Sequence, residues 1–115
     1  MLFIEYSKCT TCIKAKKFLD NLNVEYIDRN IKEDNPKLEE LKEWYKNANI
    51  ECRKMFNTSG LLYKEYNLKD KLVSMTDEEK LELLSTNGML VKRPILITNK
   101  GVVFGFKEEE WKKIL

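Results

Sequence analysis

Hydrophobic and polar residues alternate along the chain in blocks that predict short strands and amphipathic helices. Residues 2–6 form an apolar, β-prone run, and the helix predicted from Thr11 has apolar residues three or four positions apart. Those residues are Cys12, Ala15, Leu19 and Leu22. Residues 24–28 alternate as a strand does after the polar break at 21–23. The N-terminal part therefore predicts a β-α-β unit with two parallel strands.

The middle of the chain predicts helices instead of strands. Asn35-Pro36 is typical of a cap followed by a first helical residue, and Asn57 or Thr58 is expected to cap the next helix. Residues 76–79 fit a capping box. The apolar faces of these helices are formed by Leu38, Leu41, Tyr45 and Ala48, then Leu62, Tyr63 and Tyr66, then Leu81 and Leu84.

The C-terminal part returns to strands. Residues 95–98 and 102–104 read as strands joined by the turn at 99–101, which is a hairpin pattern. Residues 108–115 predict a last helix with acidic residues early and lysines late. Together the blocks predict one α/β domain over residues 1–115, with a four-stranded mixed sheet and a helical insertion at about 35–88.

Composition and charge narrow the function classes. The 115 residues carry 21 basic and 19 acidic side chains, for a net charge of +2. The sequence lacks a basic tail that would indicate binding to nucleic acid, so we do not expect direct binding. The apolar runs are too short to cross a membrane, and residues 1–5 lack the basic start of a signal peptide. Three cysteines and no histidine favour a reducing, cytoplasmic location and chemistry based on thiols.

The segment at residues 9–12, Cys-Thr-Thr-Cys, lies where the first strand gives way to the first helix. The helix N-terminus stabilises a thiolate there, so Cys9 is the candidate nucleophile and Cys12 the candidate resolving thiol. One alternative is half of a zinc site, for which Cys52 is the sole remaining thiol. Another is that Cys12 is a core residue and that Cys9 alone reacts.

Three further residues are candidates for binding a substrate. Arg53 follows Cys52, whose ionisation a neighbouring guanidinium favours, although Cys52 is also readily explained as a structural thiol. Arg93-Pro94 precedes the third strand. An arginine there suits an oxyanion, or else an ordinary salt bridge.

Residues 6–12, 14–17, 56–60 and 92–95 together resemble the ArsC/Spx family. The resemblance covers nearly the whole chain and implies a thioredoxin-like fold. Because too few Cys and His residues are present to complete a zinc site, we expect no metal, and we expect no bound cofactor. In arsenate reductases of this family the counterpart of Cys9 binds arsenate, and glutathione and glutaredoxin complete the reduction. Arg53 and Arg93 match two oxyanion-binding arginines and Pro94 matches a cis-proline. The third arginine would fall near Phe106, with Lys107 as a substitute.

The Spx branch of the family implies a different function. There Cys9 and Cys12 would form a disulfide switch in a regulator that binds the C-terminal domain of the RNA polymerase α subunit. Glu51 stands about where that branch has a contact glycine, and no basic tail follows Leu115. The chain looks most like short ArsC-like proteins that keep the redox pair, with glutathione, glutaredoxin or thioredoxin as electron donor. A scaffold with vestigial thiols is the remaining alternative.

Overall fold

A computed structural model describes residues 1–115, and its centre is a four-stranded mixed sheet. The strands are β1 (Leu2–Glu5), β2 (Ile27–Asn30), β3 (Ile95–Thr98) and β4 (Gly101–Phe104), in the order β2-β1-β3-β4. β1 runs parallel to β2 and antiparallel to β3, and β3 and β4 form the predicted hairpin. The expected α/β class with a mixed sheet is confirmed.

Six α-helices cover the sheet. They are α1 (Thr10–Asn21), α2 (Leu38–Ala48), α3 (Leu61–Glu65), α4 (Leu68–Lys71), α5 (Asp77–Thr86) and α6 (Glu108–Ile114). Short 3₁₀ turns lie at Cys52–Met55, Leu72–Ser74 and Gly88–Leu90. The helices between β2 and β3 are the predicted insertion. No helix is both long and apolar enough to span a membrane.

Two apolar clusters hold the helices against opposite faces of the sheet. On one face, Ile4 and Ile95 pack with residues of the insertion, including Leu41 and Leu84. On the other face, α1 and α6 cover the sheet, and the fully buried Trp111 of α6 donates from its indole N–H to the Gly105 carbonyl at 2.9 Å. The sheet is thus the middle of three layers, and the C-terminal end of β1 leads through a short loop to the start of α1.

The second strand begins three residues later than predicted, at Ile27 instead of residue 24. Val24 and Tyr26 do point toward the apolar cluster under α1 and α6, which explains the alternation in the sequence. The backbone first joins the sheet when the Ile27 N–H donates to the Met1 carbonyl at 2.9 Å. The alternation of apolar and polar residues therefore predicted correctly which side chains are packed, but it placed the start of the hydrogen-bonded strand too early.

The predicted caps of two inserted helices are wrong. Asn35 does not cap α2, which begins at Leu38, because its side chain donates to the Ser85 carbonyl and accepts from the Gly88 N–H. Neither Asn57 nor Thr58 caps α3, whose N-cap is Gly60 without a side-chain hydrogen bond. The predicted capping box of α5 is confirmed, with Thr76 and Glu79 exchanging hydrogen bonds.

Candidate active site

Cys9 is the N-cap residue of the 12-residue helix α1. Its own N–H donates to the Tyr6 carbonyl at 3.0 Å, which folds the loop that follows β1. Its Sγ accepts a hydrogen bond from the Cys12 N–H at 3.3 Å, the position that a capping hydroxyl usually occupies. A thiolate on Cys9 therefore lies at the positive end of the helix and receives a backbone N–H.

Cys12 is fully buried one turn into α1. Burial, followed by its hydrogen bond with the Cys9 side chain, raises the pKa of Cys12 to about 12. At neutral pH the Cys12 side chain is therefore a neutral thiol beside the Cys9 sulfur. Both are free thiols in this structure, and a reagent from solvent meets Cys9 first because Cys9 is the partly exposed member of the pair.

Arg93 and Pro94 reach the same region because β3 is antiparallel to β1. Ile95, the first residue of β3, is the register partner of Ile4, and the Arg93-Pro94 peptide bond is cis, as the resemblance implied. The Arg93 guanidinium lies 5.2 Å from the centre of the Tyr6 ring. Its charge slightly opposes the burial effect on the pKa of Cys12, which places it near the thiol pair.

One buried hydrogen-bond donor of the Arg93 side chain has no partner. Its Nη1 donates to the Met89 carbonyl at 3.3 Å, while its Nε is buried and has no hydrogen-bond partner in the protein. A buried donor without a partner is costly unless a ligand fills it. Tyr6, which supports this guanidinium, was not singled out from the sequence; an aromatic residue between β1 and the cysteine loop was the available signal.

Arg53 has a partner of its own. Its guanidinium is exposed and pairs with Glu51 at 2.7 Å, and it lines a groove that contains none of Cys9, Cys12, Arg93 or Pro94. The oxyanion-binding role of Arg53 stays a prediction. The two cysteines and Arg93 lie together, and no hydrogen bond or ion pair joins Arg53 to them.

Phe106 and Lys107 occupy the region expected for a third arginine. Phe106 packs against Phe18 and Trp111, with ring centres 5.4 and 4.9 Å apart, so its ring is part of the apolar cluster. Lys107 points to Glu110 at 4.0 Å and lines the same groove as Arg53. Neither side chain provides the planar, bidentate fork of an arginine.

Cys52 is a separate, buried thiol. Its Sγ donates to the Asp77 carbonyl at 3.8 Å, and burial, followed by the charge of Asp77, raises its pKa to about 11. Arg53, although adjacent in sequence, is not among the groups that favour its ionisation. No group of three or more His, Cys, Asp or Glu side chains is assembled to hold a metal ion. The position of Cys52 suits a structural thiol.

Known proteins resemble this chain over almost its full length. It is 44% identical over 113 residues to the protein YusI of Bacillus subtilis, covering 98% of this chain and 96% of YusI. It is 32% identical to the regulatory protein MgsR of Bacillus subtilis, and the alignment covers 99% of this chain and 89% of MgsR.

Two solved structures share the fold. A protein of Bacteroides fragilis described as related to the ArsC family has a TM-score of 0.95 at 52% identity, with 99% and 97% of the two chains covered. A possible arsenate reductase of Streptococcus mutans has a TM-score of 0.87 at 38% identity, with 96% of each chain covered. The expected thioredoxin-like fold is confirmed. Because the model of the ArsC family also matches residues 4–114, the chain belongs to the ArsC family.

Proposed function

We propose that this protein is a thiol-disulfide oxidoreductase in which Cys9 attacks and Cys12 resolves. The observation that carries the proposal is the asymmetry of the pair. Cys9 is partly exposed at the N-cap of α1 and accepts the Cys12 N–H at 3.3 Å, whereas Cys12 is buried and protonated. One sulfur is thus arranged to react first and the other to react within the chain.

The chemistry balances with a disulfide substrate. The Cys9 thiolate attacks one sulfur of the substrate, the substrate S–S bond breaks, and one thiolate leaves. Cys12 then gives up its proton to a departing thiolate and attacks the Cys9 sulfur. The mixed disulfide breaks, and the second thiolate leaves and takes from solvent the proton that Cys9 released when it ionised. The substrate gains two electrons and two protons, and Cys9 and Cys12 end as a disulfide that glutathione, glutaredoxin or thioredoxin reduces again.

Formation of the mixed disulfide on Cys9 favours ionisation of Cys12, which must then attack. Burial raises the pKa of Cys12 most, and the hydrogen bond between the Cys12 and Cys9 side chains and the charge of Cys9 raise it further. The two effects of Cys9 weaken once its sulfur is held in a mixed disulfide, while the effect of burial and the opposing charge of Arg93 remain. The part of the pKa rise that Cys9 causes is therefore reduced at the stage where Cys12 must ionise. The chain contains no histidine to serve as a base.

Counting the thiols released from oxidised glutathione tests this order. The reduced wild type should release two glutathione molecules per chain, Cys12→Ser one and Cys9→Ser none. Cys52→Ser is the matched control and should release two, because Cys52 is buried away from the pair. Two molecules released by Cys12→Ser would remove the resolving role.

Arsenate is the specific substrate that we propose for this enzyme. The free Nε donor of Arg93 near the thiol pair suits an oxyanion held beside the Cys9 thiolate. With glutathione and glutaredoxin supplied, arsenite should form, and Arg93→Lys should slow its formation because lysine keeps the charge and loses the planar fork. No arsenite in any thiol system would restrict the activity to disulfides.

A redox-dependent regulator is the second candidate, because the chain is 32% identical to the regulatory protein MgsR. In this function the Cys9–Cys12 disulfide would change binding to the C-terminal domain of the RNA polymerase α subunit. A pull-down with that domain should then capture one redox state of the protein more than the other. No capture in either state would remove this candidate.

A further inference from the structure

A groove of about 1020 Å³ follows β4, and neither Cys9 nor Cys12 lines it. All four β4 residues line it, with α6 forming one wall and residues 47–50 at the end of α2 forming the other. At Gly101 the two walls come close to the strand, since an added Cβ would lie 3.2 Å from Ile114 and 4.0 Å from the Asn47 carbonyl. The groove is therefore a channel along the edge of the sheet.

The edge strand presents unpaired backbone groups to this channel. β4 has a neighbour on one side only. The Gly105 N–H donates to the Pro94 carbonyl at 2.7 Å, and antiparallel pairs alternate between bonded and non-bonded. Val103 and Gly101 are therefore bonded to β3, and the N–H and C=O groups of Val102 and Phe104 point into the groove. No turn, loop or cap hydrogen bond uses them.

The groove is strongly basic. Eight of its 23 lining residues are lysine or arginine, whereas one, Glu110, is acidic. Lys54, Lys69, Lys92 and Lys113 form no ion pair and no side-chain hydrogen bond. A second copy of the chain paired through β4 would bring an equally basic groove against this one, so like charges oppose that occupant.

The lining favours a peptide over a nucleic acid. Ten of the 23 residues are hydrophobic, which suits a strand with alternating acidic and apolar side chains. Single-stranded nucleic acid needs a series of exposed aromatic faces on which successive bases stack. Of the three aromatic residues here, Phe56 and Phe104 are at most 6% exposed, and Tyr63 alone is partly exposed.

We propose that this β4 groove binds an extended, acidic segment of a partner protein, which joins β4 as a fifth strand. The backbone groups of Val102 and Phe104 pair with the segment, and the lysines of the walls contact its carboxylates. None of Cys9, Cys12, Arg93 and Pro94 lines the groove. The site therefore holds a protein partner or protein substrate at a place separate from the thiol pair.

The test uses the full chain and a fluorescein-labelled peptide of about ten residues that alternates Glu and Val. Fluorescence anisotropy measures its affinity, and amide exchange by nuclear magnetic resonance locates it. The peptide should bind and slow exchange at Val102 and Phe104 by at least about tenfold. A peptide of equal charge with Pro at every second Val should bind about tenfold more weakly or not at all, because proline cannot pair as a strand.

Two double variants with the same net charge distinguish binding in the groove from general electrostatic attraction to the protein. Lys54→Glu with Lys113→Glu reverses two unpaired charges of the groove and should weaken binding by about tenfold at low salt. Lys14→Glu with Lys17→Glu changes net charge equally on α1, outside the groove, and should change affinity by less than about twofold.

Three results would overturn the proposal. One is equal affinity for both peptides. Another is tighter binding of a single-stranded oligodeoxynucleotide without slower exchange at Val102 and Phe104. The third is protection of those two amides that depends on protein concentration alone, since it would assign the edge to a second copy of the chain.

Discussion

Treatment of the reduced protein with iodoacetamide should label its three cysteines at very different rates. At about pH 7.5 an ordinary thiol is roughly one-tenth ionised. Cys12, whose pKa burial raises to about 12, holds about 3,000-fold less thiolate. A thiolate of higher pKa is also a stronger nucleophile, and this makes each Cys12 thiolate about 40-fold more reactive than that of an ordinary thiol. Cys12 should therefore react about 80-fold more slowly than a thiol of the unfolded chain, before the effect of its burial is added.

The same arithmetic orders the other cysteines. The pKa of Cys52 is raised to about 11, so Cys52 holds about 300-fold less thiolate than an ordinary thiol, and that thiolate is about 13-fold more nucleophilic. Cys52 should therefore be labelled about 20-fold more slowly than a thiol of the unfolded chain. Cys9 is the partly exposed sulfur at the helix N-terminus and should be labelled first. The expected order is Cys9, then Cys52, then Cys12.

The assay quenches samples over time and measures the labelled peptides by mass spectrometry, with the urea-unfolded protein as reference. The Cys12 rate should rise about tenfold for each unit of pH, because its pKa lies above the whole range tested. Cys9→Ala should accelerate labelling of Cys12, since it removes a hydrogen bond that raises this pKa. Cys52→Ala is the control and should leave Cys12 unchanged. Labelling of native Cys12 within about fivefold of the unfolded rate would refute the argument.

Two further predictions concern stability, measured by urea unfolding. Asn35→Ala removes the acceptor of the Gly88 N–H and the donor to Ser85 and should lower the free energy of unfolding by about 2–3 kcal/mol; Asn35→Asp keeps that acceptor and should cost about half as much, so equal losses would contradict the account. Glu40→Gln should cost about 1 kcal/mol at neutral pH, because it weakens the bonds from Arg29 at 2.6 and 3.0 Å. Arg29 lowers the pKa of Glu40, so this stability is complete above the unfolded pKa of about 4.3 and is lost as the pH falls below it. The difference between wild type and Glu40→Gln should therefore shrink in acid, and a constant difference would refute the assignment.

Features set by neighbouring residues were predictable from the sequence. The hairpin of β3 and β4 depends on a turn between two β-prone runs. The capping box of Thr76 and Glu79 depends on a spacing of three residues. The place of Cys9 at the start of α1 follows from a strand that ends shortly before an amphipathic helix begins. Each of these signals lies within one element or across one junction.

Features set by distant partners were not predictable. Asn35 looked like a helix cap, but its side chain bonds residues 50 and 53 positions away, and no local pattern encodes such a contact. The pairing of Arg53 with Glu51 at 2.7 Å is a further contact that the sequence does not reveal, because the direction of an exposed side chain depends on its neighbours. The backbone groups that β4 leaves unpaired depend on strand order, which spacing does not reveal.

The most direct test of the central claim is the mass of the protein after titration with oxidised glutathione, for the wild type and for Cys12→Ser. The wild type should lose two hydrogens, with the new disulfide mapped to Cys9 and Cys12. Cys12→Ser should retain one glutathione on Cys9, because the resolving thiol is absent. A stable glutathione adduct on Cys9 in both proteins would contradict the two-thiol mechanism and leave Cys9 as a single reactive cysteine.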